Sequence, residues 1–457
     1  MADAEYKEDE QTTPIRDRMQ DPSNDIENEE KERIMFEFQQ NVTNLLRIRN
    51  WNSPVLENYL KIFNDHIHKT DISQYYDSEL QELYSLFLDY LVPNNDHLIL
   101  LIKIIKNTIQ LQNRSISEYL NSIGLLKSLH DCYQIDNLFV KKYILSAIAY
   151  LAYQSPINQK NVTLRFPIEE MKDSFINIDD PRIRFKIVYY FYACSKYTLN
   201  SQEIKVMEQV ICYCIDNKIV ETFDNVSSIA RNLMRFRMEP ELRFKILLKV
   251  FNLVDYSPTT TQNCLFSIGD ASKNLEMQII PFDLDKVLEY LGEERDDVVA
   301  ASAAYCISML AHNRPEFFVN CNLLDFAAKV MDLYDNSPMV PKFYVSEVVI
   351  ALSHLMNQKD LFDAIFKTSL VDIITFNISF KCEKADIIAA IDDLEIVEKI
   401  FQSANLNNEV ALVRSKFEDC GFVDIVENLI DRYSNHSMMH KQNTLKIDQI
   451  MSAYFSD

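Results

Sequence analysis

Histidine is the residue type in this chain best suited to binding a metal ion, and eight histidines are present. His66 and His68 are separated by one residue, which places their rings on different sides of a helix and makes a poor metal site. His436 and His440 lie one helical turn apart, but no acidic residue or cysteine accompanies them in the spacing of a metalloprotease. The histidines therefore predict no metal site.

Cysteines, carboxylates and glycines offer no catalytic set or cofactor loop. Cys212 and Cys214 have the wrong spacing for a zinc knuckle, and we expect the nine cysteines to be reduced and buried. Paired carboxylates such as Asp296-Asp297 and Asp392-Asp393 are expected to be solvated helix starts or faces. No Ser, His and Asp arrangement can be recognised, and the four glycines are too scattered for a phosphate-binding loop or a dinucleotide fingerprint. The sequence predicts a non-enzymatic protein without a cofactor.

The elements that would position any binding site recur along the chain. Helical segments rich in small and apolar residues return about every 38–45 residues, the period of armadillo-type or HEAT-type repeats. These segments are Leu98–Ile109, Ile144–Ala152, Ile187–Ser195, Val226–Met234, Thr261–Ala271, Ala301–Ala311 and Val345–Met356. Stacked units can bury apolar faces that a single unit cannot. The predicted fold is all-α, a right-handed α-solenoid of armadillo-like repeats over residues 34–457, with a C-terminal capping repeat at about 410–457.

Further helices are expected between these segments. They are Glu203–Ile215, Phe244–Val254, Leu323–Leu333 and Ala364–Phe376. A proline marks the expected start of a helix at Asp180-Pro181, Glu239-Pro240, Ser257-Pro258 and Ser337-Pro338. We find no internal linker that would divide the repeat region into separate domains.

The net charge of −22 limits the classes of partner. A strongly acidic surface repels nucleic acid, because affinity for phosphates rests on Lys and Arg, and it favours basic proteins or peptides; the charge is equally explained by solubility alone. No signal peptide opens the sequence and no apolar run has the length of a membrane span. We therefore expect a cytoplasmic or nuclear protein that binds neither nucleic acid nor membrane.

Residues 1–33 differ in composition from the rest of the chain. They hold twelve acidic residues against five basic ones and almost no large apolar residues. Such a segment buries too little apolar area to offset its ordering entropy. We expect residues 1–33 to be an acidic, disordered tail.

Several motifs, in the same order and with the same spacing, resemble importin-α, the armadillo adaptor of nuclear import. The strongest is Phe417–Leu429, which is similar to the family's capping repeat, and Thr444–Phe455 resembles its terminal helix. Shorter similarities lie at Ile148–Ala152, Ser267–Asp270, Ala351–His354 and Glu398–Ala404. The resemblance spans about residues 35–457 and implies an armadillo superhelix that binds proteins along its concave face.

The resemblance also implies where a peptide groove would lie. In the family, asparagines pair with the backbone of an extended peptide, and tryptophans four residues earlier sandwich the stems of its lysines and arginines. The asparagine positions fall on Asn107, Tyr150, Asn232, Asp270, Met309 and His354. The tryptophan positions fall on Lys103, Ser146, Ser228, Phe266, Tyr305 and Ile350. We expect Phe266, Asp270 and Tyr305 to supply ring faces and a carboxylate for a basic peptide.

Two departures leave two hypotheses open. The only tryptophan, Trp51, precedes these repeats, and the N-terminal segment lacks the Arg and Lys runs with which importin-α proteins bind importin-β. The first hypothesis is an importin-α-like adaptor that binds basic nuclear-localisation peptides. The second is an armadillo scaffold for protein assembly that is no longer coupled to importin-β. Binding to importin-β is expected to be weak or absent, and the sequence does not indicate the cargo or the oligomeric state.

Overall fold

A computed structural model describes residues 25–49, 51, 53–67, 69, 77–273, 284–291, 297–318, 322–336, 342–383, 387–433 and 441–455. Within these ranges the chain forms twenty-four α-helices and two short 3-10 helices, and no strand is present among them. The predicted all-α class is confirmed, and the helices follow one another in the manner of a helical-repeat protein.

The helices are short and closely spaced. The first eight are α1 Asp25–Arg47, α2 Pro54–Ile67, α3 Ser78–Asp89, α4 Leu98–Gln110, α5 Arg114–Ser122, α6 Leu125–Tyr133, α7 Leu138–Gln154 and α8 Pro156–Arg165. The next eight are α9 Ile168–Asn177, α10 Pro181–Ser195, α11 Ser201–Asp216, α12 Phe223–Met234, α13 Pro240–Phe251, α14 Pro258–Ser272, α15 Leu284–Glu289 and α16 Asp297–Asn313. The last eight are α17 Leu323–Asn336, α18 Lys342–Leu355, α19 Gln358–Lys367, α20 Leu370–Glu383, α21 Ile387–Leu406, α22 Val410–Asp419, α23 Phe422–Tyr433 and α24 Lys441–Tyr454.

Capping residues and prolines set the helix starts. Asp180 accepts hydrogen bonds from the backbone N–H groups of Arg182 and Ile183, ahead of Pro181 at the first position of α10. Ser257 and Thr260 form a reciprocal capping box around Pro258 at the start of α14. Pro240 also lies at the first position of its helix, α13. These three expected starts are confirmed, whereas Ser337-Pro338 lies outside the described residues.

By its contacts the chain divides into two compact units, Met1–Arg165 and Phe166–Asp457. In the first unit, α2, α4 and α7 lie side by side, and the remaining helices cover them. Its aromatic core includes Trp51, whose ring stacks on Tyr90 with centroids 4.6 Å apart. Phe63 packs edge-on against Phe87 in the same core.

In the second unit, α10, α12, α14, α16 and α18 lie side by side in chain order, and we call them the repeat row. A second set of helices, α9, α11 and α13, contact one another in the same order, and we call them the back row. The recurring segments predicted from sequence lie in α4, α7 and the helices of the repeat row. The repeat period in the sequence therefore corresponds to helices that pack side by side in chain order.

The C-terminal helices share one aromatic cluster. Phe401 of α21 stacks on Tyr454 with centroids 4.5 Å apart and on Phe417 at 5.6 Å. Phe422, at the start of α23, meets the edge of Phe417 at 5.0 Å. Gly421, with φ of +73°, makes the sharp turn between α22 and α23, a conformation that favours glycine.

Two expected boundaries differ from the structure. The expected helix Ala364–Phe376 is wrong, because α19 ends at Lys367 and α20 begins at Leu370. Thr368 between them is extended, and its hydroxyl donates to the carbonyl of Ala364, the local competition by which hydroxyl side chains end helices. At the other end, α1 begins at Asp25, inside the segment 1–33 that we expected to be disordered. The structure gives no description of residues 1–24.

Candidate functional site

Neighbouring helices of the repeat row run parallel, since residues about one repeat apart meet at matching heights. Asn232 of α12 donates its amide to the hydroxyl of Ser195 on α10 at 3.0 Å. One repeat later, Asn263 of α14 donates to the hydroxyls of Ser227 and Ser228 at 3.1 and 2.9 Å. The resemblance assigns Asn232 and Ser228 to peptide binding, but their polar groups are already engaged in these hydrogen bonds between helices.

Asp270, near the end of α14, is the centre of the next contact. Its Oδ1 accepts a hydrogen bond of 2.6 Å from the hydroxyl of Tyr305 on α16. Arg235 and Lys273 bring their charged nitrogens to 3.6 and 3.4 Å from its carboxylate oxygens. The Asp270 carboxylate is buried and already has partners from three directions.

Phe266, one turn before Asp270, is also occupied. The guanidinium carbon of Arg231 lies 3.9 Å from the centre of the Phe266 ring, a close cation–π contact. The ring of Tyr305 lies on Phe266 with centroids 5.0 Å apart. The structure thus brings Phe266, Asp270 and Tyr305 together as predicted, but the chain's own cations cover the ring and the carboxylate. We call Arg231, Arg235, Lys273 and Asp270, with Phe266 and Tyr305, the Asp270 cluster.

The electrostatics of the cluster follow from burial and from its excess of cations. Burial and then the neighbouring Arg235 lower the pKa of Arg231, and Asp270 opposes that change. Burial and the hydrogen bond to Asp270 raise the pKa of Tyr305, which keeps its hydroxyl protonated as a donor. The hydrogen bond with Tyr305 is the main cause that raises the pKa of Lys273. Two cations, Arg235 and Lys273, pair with the Asp270 carboxylate, and the third, Arg231, lies within its electrostatic influence.

A glycine allows the close approach of α14 and α16 behind the cluster. A methyl group added at Gly269 would lie 2.7 Å from Cε1 and 2.9 Å from Cδ1 of Tyr305. Such distances are shorter than van der Waals contact. The ring of Tyr305 can therefore occupy its position only with a glycine at residue 269.

The remaining candidates of the second unit do not form a continuous polar groove. The backbone carbonyl of Met309 accepts from Ser272 and Asn313, and its side chain is partly exposed. Ile350 is buried in the core. His354 is partly buried, and burial together with Lys399 lowers its pKa, so its ring is neutral at pH 7.

The candidates of the first unit are largely buried or engaged. Asn107 is buried and donates its amide to the side-chain oxygen of Asn64 at 2.8 Å. Ser146 is buried and donates to the carbonyl of Lys142. Tyr150 is partly exposed, and Lys106 lies 6.0 Å from the centre of its ring. Lys103 is partly exposed on α4. An asparagine ladder for a peptide backbone is therefore not available at Asn107.

The expectation that Asp392-Asp393 is solvated is wrong for Asp393, which is buried. Asp393 belongs to an ionic network between α18, α20 and α21 that the sequence analysis missed. Lys381 places its ammonium 2.8 Å from Asp393 and 3.0 Å from Glu347. Burial raises the pKa of Asp393 to about 7, because one lysine cannot balance two carboxylates. Asn377 donates to Glu347 at 3.0 Å. The signal in the sequence was the only lysine of α20, Lys381, which lies near the end of a helix rich in apolar residues.

Burial disfavours the reactive thiolate form in seven of the eight described cysteines, by raising the pKa of the thiol. The eight described ones are free thiols. Burial raises the pKa of Cys132 to about 11 and that of Cys194 to about 12. Burial and the hydrogen bond to Glu208 raise the pKa of Cys212 to about 12. A thiol that stays protonated at neutral pH is a poor nucleophile.

Neither a metal site nor a membrane span is found among the described residues. No group of three or more histidine, cysteine or acidic side chains there is arranged to hold a metal ion. The pair His436 and His440 lies outside the described residues. Within the same ranges, every helix is too short or too polar to cross a bilayer.

Comparisons with known proteins give a fold but no family. No protein-family model matches the chain, and no curated protein matches its sequence. The crystal structure of an engineered protein is similar, with a TM-score of 0.61 and 10% sequence identity, over 92% of this chain and 99% of that one. At such low identity the similarity concerns the fold alone.

Proposed function

We propose that this chain is a protein-binding scaffold of armadillo type, whose binding surface is the partly exposed face of the repeat row. The observation that carries the proposal is the row itself: side chains one repeat apart bond to each other from Ser195 to Asn313, in parallel register. Stacked repeats of this kind offer an extended surface on which a partner segment can lie. The residues of the row supply aromatic rings and cations.

Between the two hypotheses from sequence, the site favours the scaffold over an adaptor for basic nuclear-localisation peptides. A basic peptide needs free ring faces and free carboxylates. At the most favourable position, Arg231 already covers Phe266, and Arg235 and Lys273 already lie beside Asp270. A lysine of an incoming peptide would have to displace these cations, which makes its binding weak.

Site-specific photo-cross-linking tests the proposed surface. We would place a benzophenone amino acid at Met309, partly exposed on α16 of the repeat row, and in a control variant at Leu248, exposed on α13 of the back row. In an extract of the source cells, we expect the Met309 variant to cross-link a partner protein that the Leu248 variant does not. Cross-links confined to Leu248, or the same products from both variants, would contradict the proposal.

Purified importin-β and a labelled lysine-rich peptide test the first hypothesis directly. We expect binding of importin-β to be weak or absent, because residues 1–33 contain no run of Arg or Lys. We expect weak binding of the lysine-rich peptide that disappears as salt is raised, since exposed ion pairs are weak and screened. Tight binding of the peptide at physiological salt would restore the importin-α-like hypothesis.

A further inference from the structure

The Asp270 cluster carries more positive than negative charge on a chain that is strongly acidic. Arg235 and Lys273 pair with a single carboxylate, Asp270, and Arg231 lies close enough for that carboxylate to influence its pKa. The neutral hydroxyl of Tyr305 takes part of the carboxylate's hydrogen-bonding capacity. The chain as a whole has a net charge of −22. Solubility can explain the negative charge of the whole chain, but it does not explain why cations gather at this one place.

Two of the cations are accessible to a partner. The side chains of Arg235 and Lys273 are 58% and 53% exposed, whereas that of Asp270 is only 10% exposed. Their contacts with Asp270, at 3.6 and 3.4 Å, are longer than a good charge-assisted hydrogen bond. Both side chains therefore retain donors that can face solvent or a ligand.

The third cation is held in place by its surroundings. Arg231 lies flat on Phe266, and one guanidinium nitrogen is 3.4 Å from the amide oxygen of Asn263. Its Nε is buried without a hydrogen-bond partner. An arginine positioned in this way presents its remaining donors in a fixed fork, the geometry that matches a carboxylate.

The neighbouring helix adds an aromatic ring beside Arg231. Helix α10 packs against α12, and its own arginines, Arg182 and Arg184, are paired with Asp180 and Asp179 at the start of the helix. Tyr192 of α10 lies close enough to Arg231 to influence its pKa. The partly exposed face of the repeat row thus combines cations with aromatic rings around the Asp270 cluster.

We propose that the Asp270 cluster binds a carboxylate-rich peptide segment of a partner protein, with Arg235 and Lys273 pairing with its acidic side chains beside the rings of Phe266 and Tyr305. This inference rests on the proposed function, because it assigns a partner class to the surface proposed there. An acidic peptide is favoured over nucleic acid, because a short peptide can place its few carboxylates at the cluster alone, whereas a nucleic acid carries phosphates along its whole length and would extend them over the acidic surface around the cluster.

The probe for this inference is a fluorescein-labelled peptide rich in Asp and Glu with a few Leu and Tyr. Its matched control has Asn and Gln at every acidic position. Fluorescence anisotropy should show that the acidic peptide binds and that its affinity falls with added salt, while the amide peptide does not bind. Arg235→Gln and Lys273→Gln should each weaken binding about two- to fivefold, as expected for partly exposed charges. Changing both to Glu should weaken binding by about tenfold or more.

Lys245→Gln is the matched control variant. Lys245 lies on α13 of the back row, pairs with Glu208 at 2.7 Å and has the same exposure as Arg235, 58%. The substitution Lys245→Gln removes one positive charge from the same unit, as Arg235→Gln does. Because Lys245 lies outside the Asp270 cluster, we expect peptide binding to be unchanged. Melting temperatures within a degree or two of the parent would show that Arg235→Gln and Lys273→Gln still fold.

Three results would overturn the inference. They are equal binding of the acidic and amide peptides, an equal loss on Lys245→Gln, and displacement of the acidic peptide by single-stranded DNA that binds more tightly than the peptide. If the Met309 cross-linker captures a partner while the acidic peptide does not bind, the assignment of an acidic partner fails and the proposed surface stands. If the peptide binds through Arg235 and Lys273 while cross-links arise only at Leu248, the proposed function fails in its wider form.

Discussion

Asp270 is the residue on which two opposite interpretations of the site depend. As a carboxylate beside two rings, it is a natural contact for a basic peptide, which is how the sequence presents it. In the structure it is a buried hub that holds Tyr305, Arg235 and Lys273 in place and leaves their excess charge for a partner. The two roles predict opposite effects for the same substitution.

Replacing Asp270 with Asn should strengthen binding of the acidic peptide about two- to fivefold, because the cluster loses its only carboxylate. The same change should lower the free energy of unfolding by about 1 kcal/mol, since Tyr305 loses a charged acceptor. Peptide titration and urea unfolding measure the two effects. Tyr305→Phe is the control, because it removes the hydrogen bond and keeps the charge, so peptide affinity should be unchanged. Weaker acidic-peptide binding by Asp270→Asn would show that positioning of Arg235 and Lys273 by Asp270 matters more than the charge it neutralises, and would contradict the expected gain.

Asp393 is a second residue whose environment sets its chemistry, and it predicts a pH dependence. Burial raises its pKa to about 7, against 3.8 for an ordinary aspartate. Between these values the folded chain holds a proton that the unfolded chain has released, so this group's contribution to stability is lost as pH rises through about 7. In urea unfolding over pH 5 to 8, the parent should lose more stability with rising pH than Asp393→Asn. The exposed control Asp424→Asn should follow the parent, and equal slopes for all three would contradict the assignment.

At the scale of helices, the close packing of α14 against α16 can be tested by a single substitution at Gly269. Alanine favours a helix over glycine by about 1 kcal/mol, so propensity alone predicts that Gly269→Ala stabilises the protein. The structure predicts the reverse, because the new methyl would lie 2.7 Å from the ring of Tyr305. That ring cannot move freely, since Asp270 holds its hydroxyl and Phe266 its face.

We therefore expect Gly269→Ala to lower the free energy of unfolding by about 1–2 kcal/mol, within the range for overpacked cores. Chemical denaturation gives the value. In a Tyr305→Ser background the obstructing ring is absent, and the same Gly269→Ala change should then be neutral or stabilising. A stabilising effect of Gly269→Ala in the parent would mean that α14 and α16 are farther apart than the structure has them.

For the whole molecule, the repeat period made the fold predictable. The negative net charge led the sequence analysis to expect a basic ligand at a site where the structure places cations. The recurring apolar segments and the prolines at the helix starts, Pro181, Pro240 and Pro258, indicated the helices, because both signals are local in sequence. The pairing of Arg231 with Phe266 and of Lys381 with Asp393 could not be read in this way, since each joins different helices. A net charge of −22 describes the surface on average and does not show that cations gather at one place on it.

The division into two compact units gives the last prediction. In helical-repeat proteins each unit contacts mainly its neighbours, so stability and binding are local properties. Among the described residues, the contacts of the Asp270 cluster come from α10, α12, α14 and α16 and from the residues that follow α12 and α14, all in the unit Phe166–Asp457. We expect a chain of residues 166–457 alone to be helical by circular dichroism and to bind the acidic peptide within about threefold of the full chain, a difference of less than 1 kcal/mol. Arg235→Gln in this shortened chain should weaken binding by the same factor as in the full chain, and Lys245→Gln should again have no effect. A folded unit that does not bind the peptide would show that the site needs residues before Phe166.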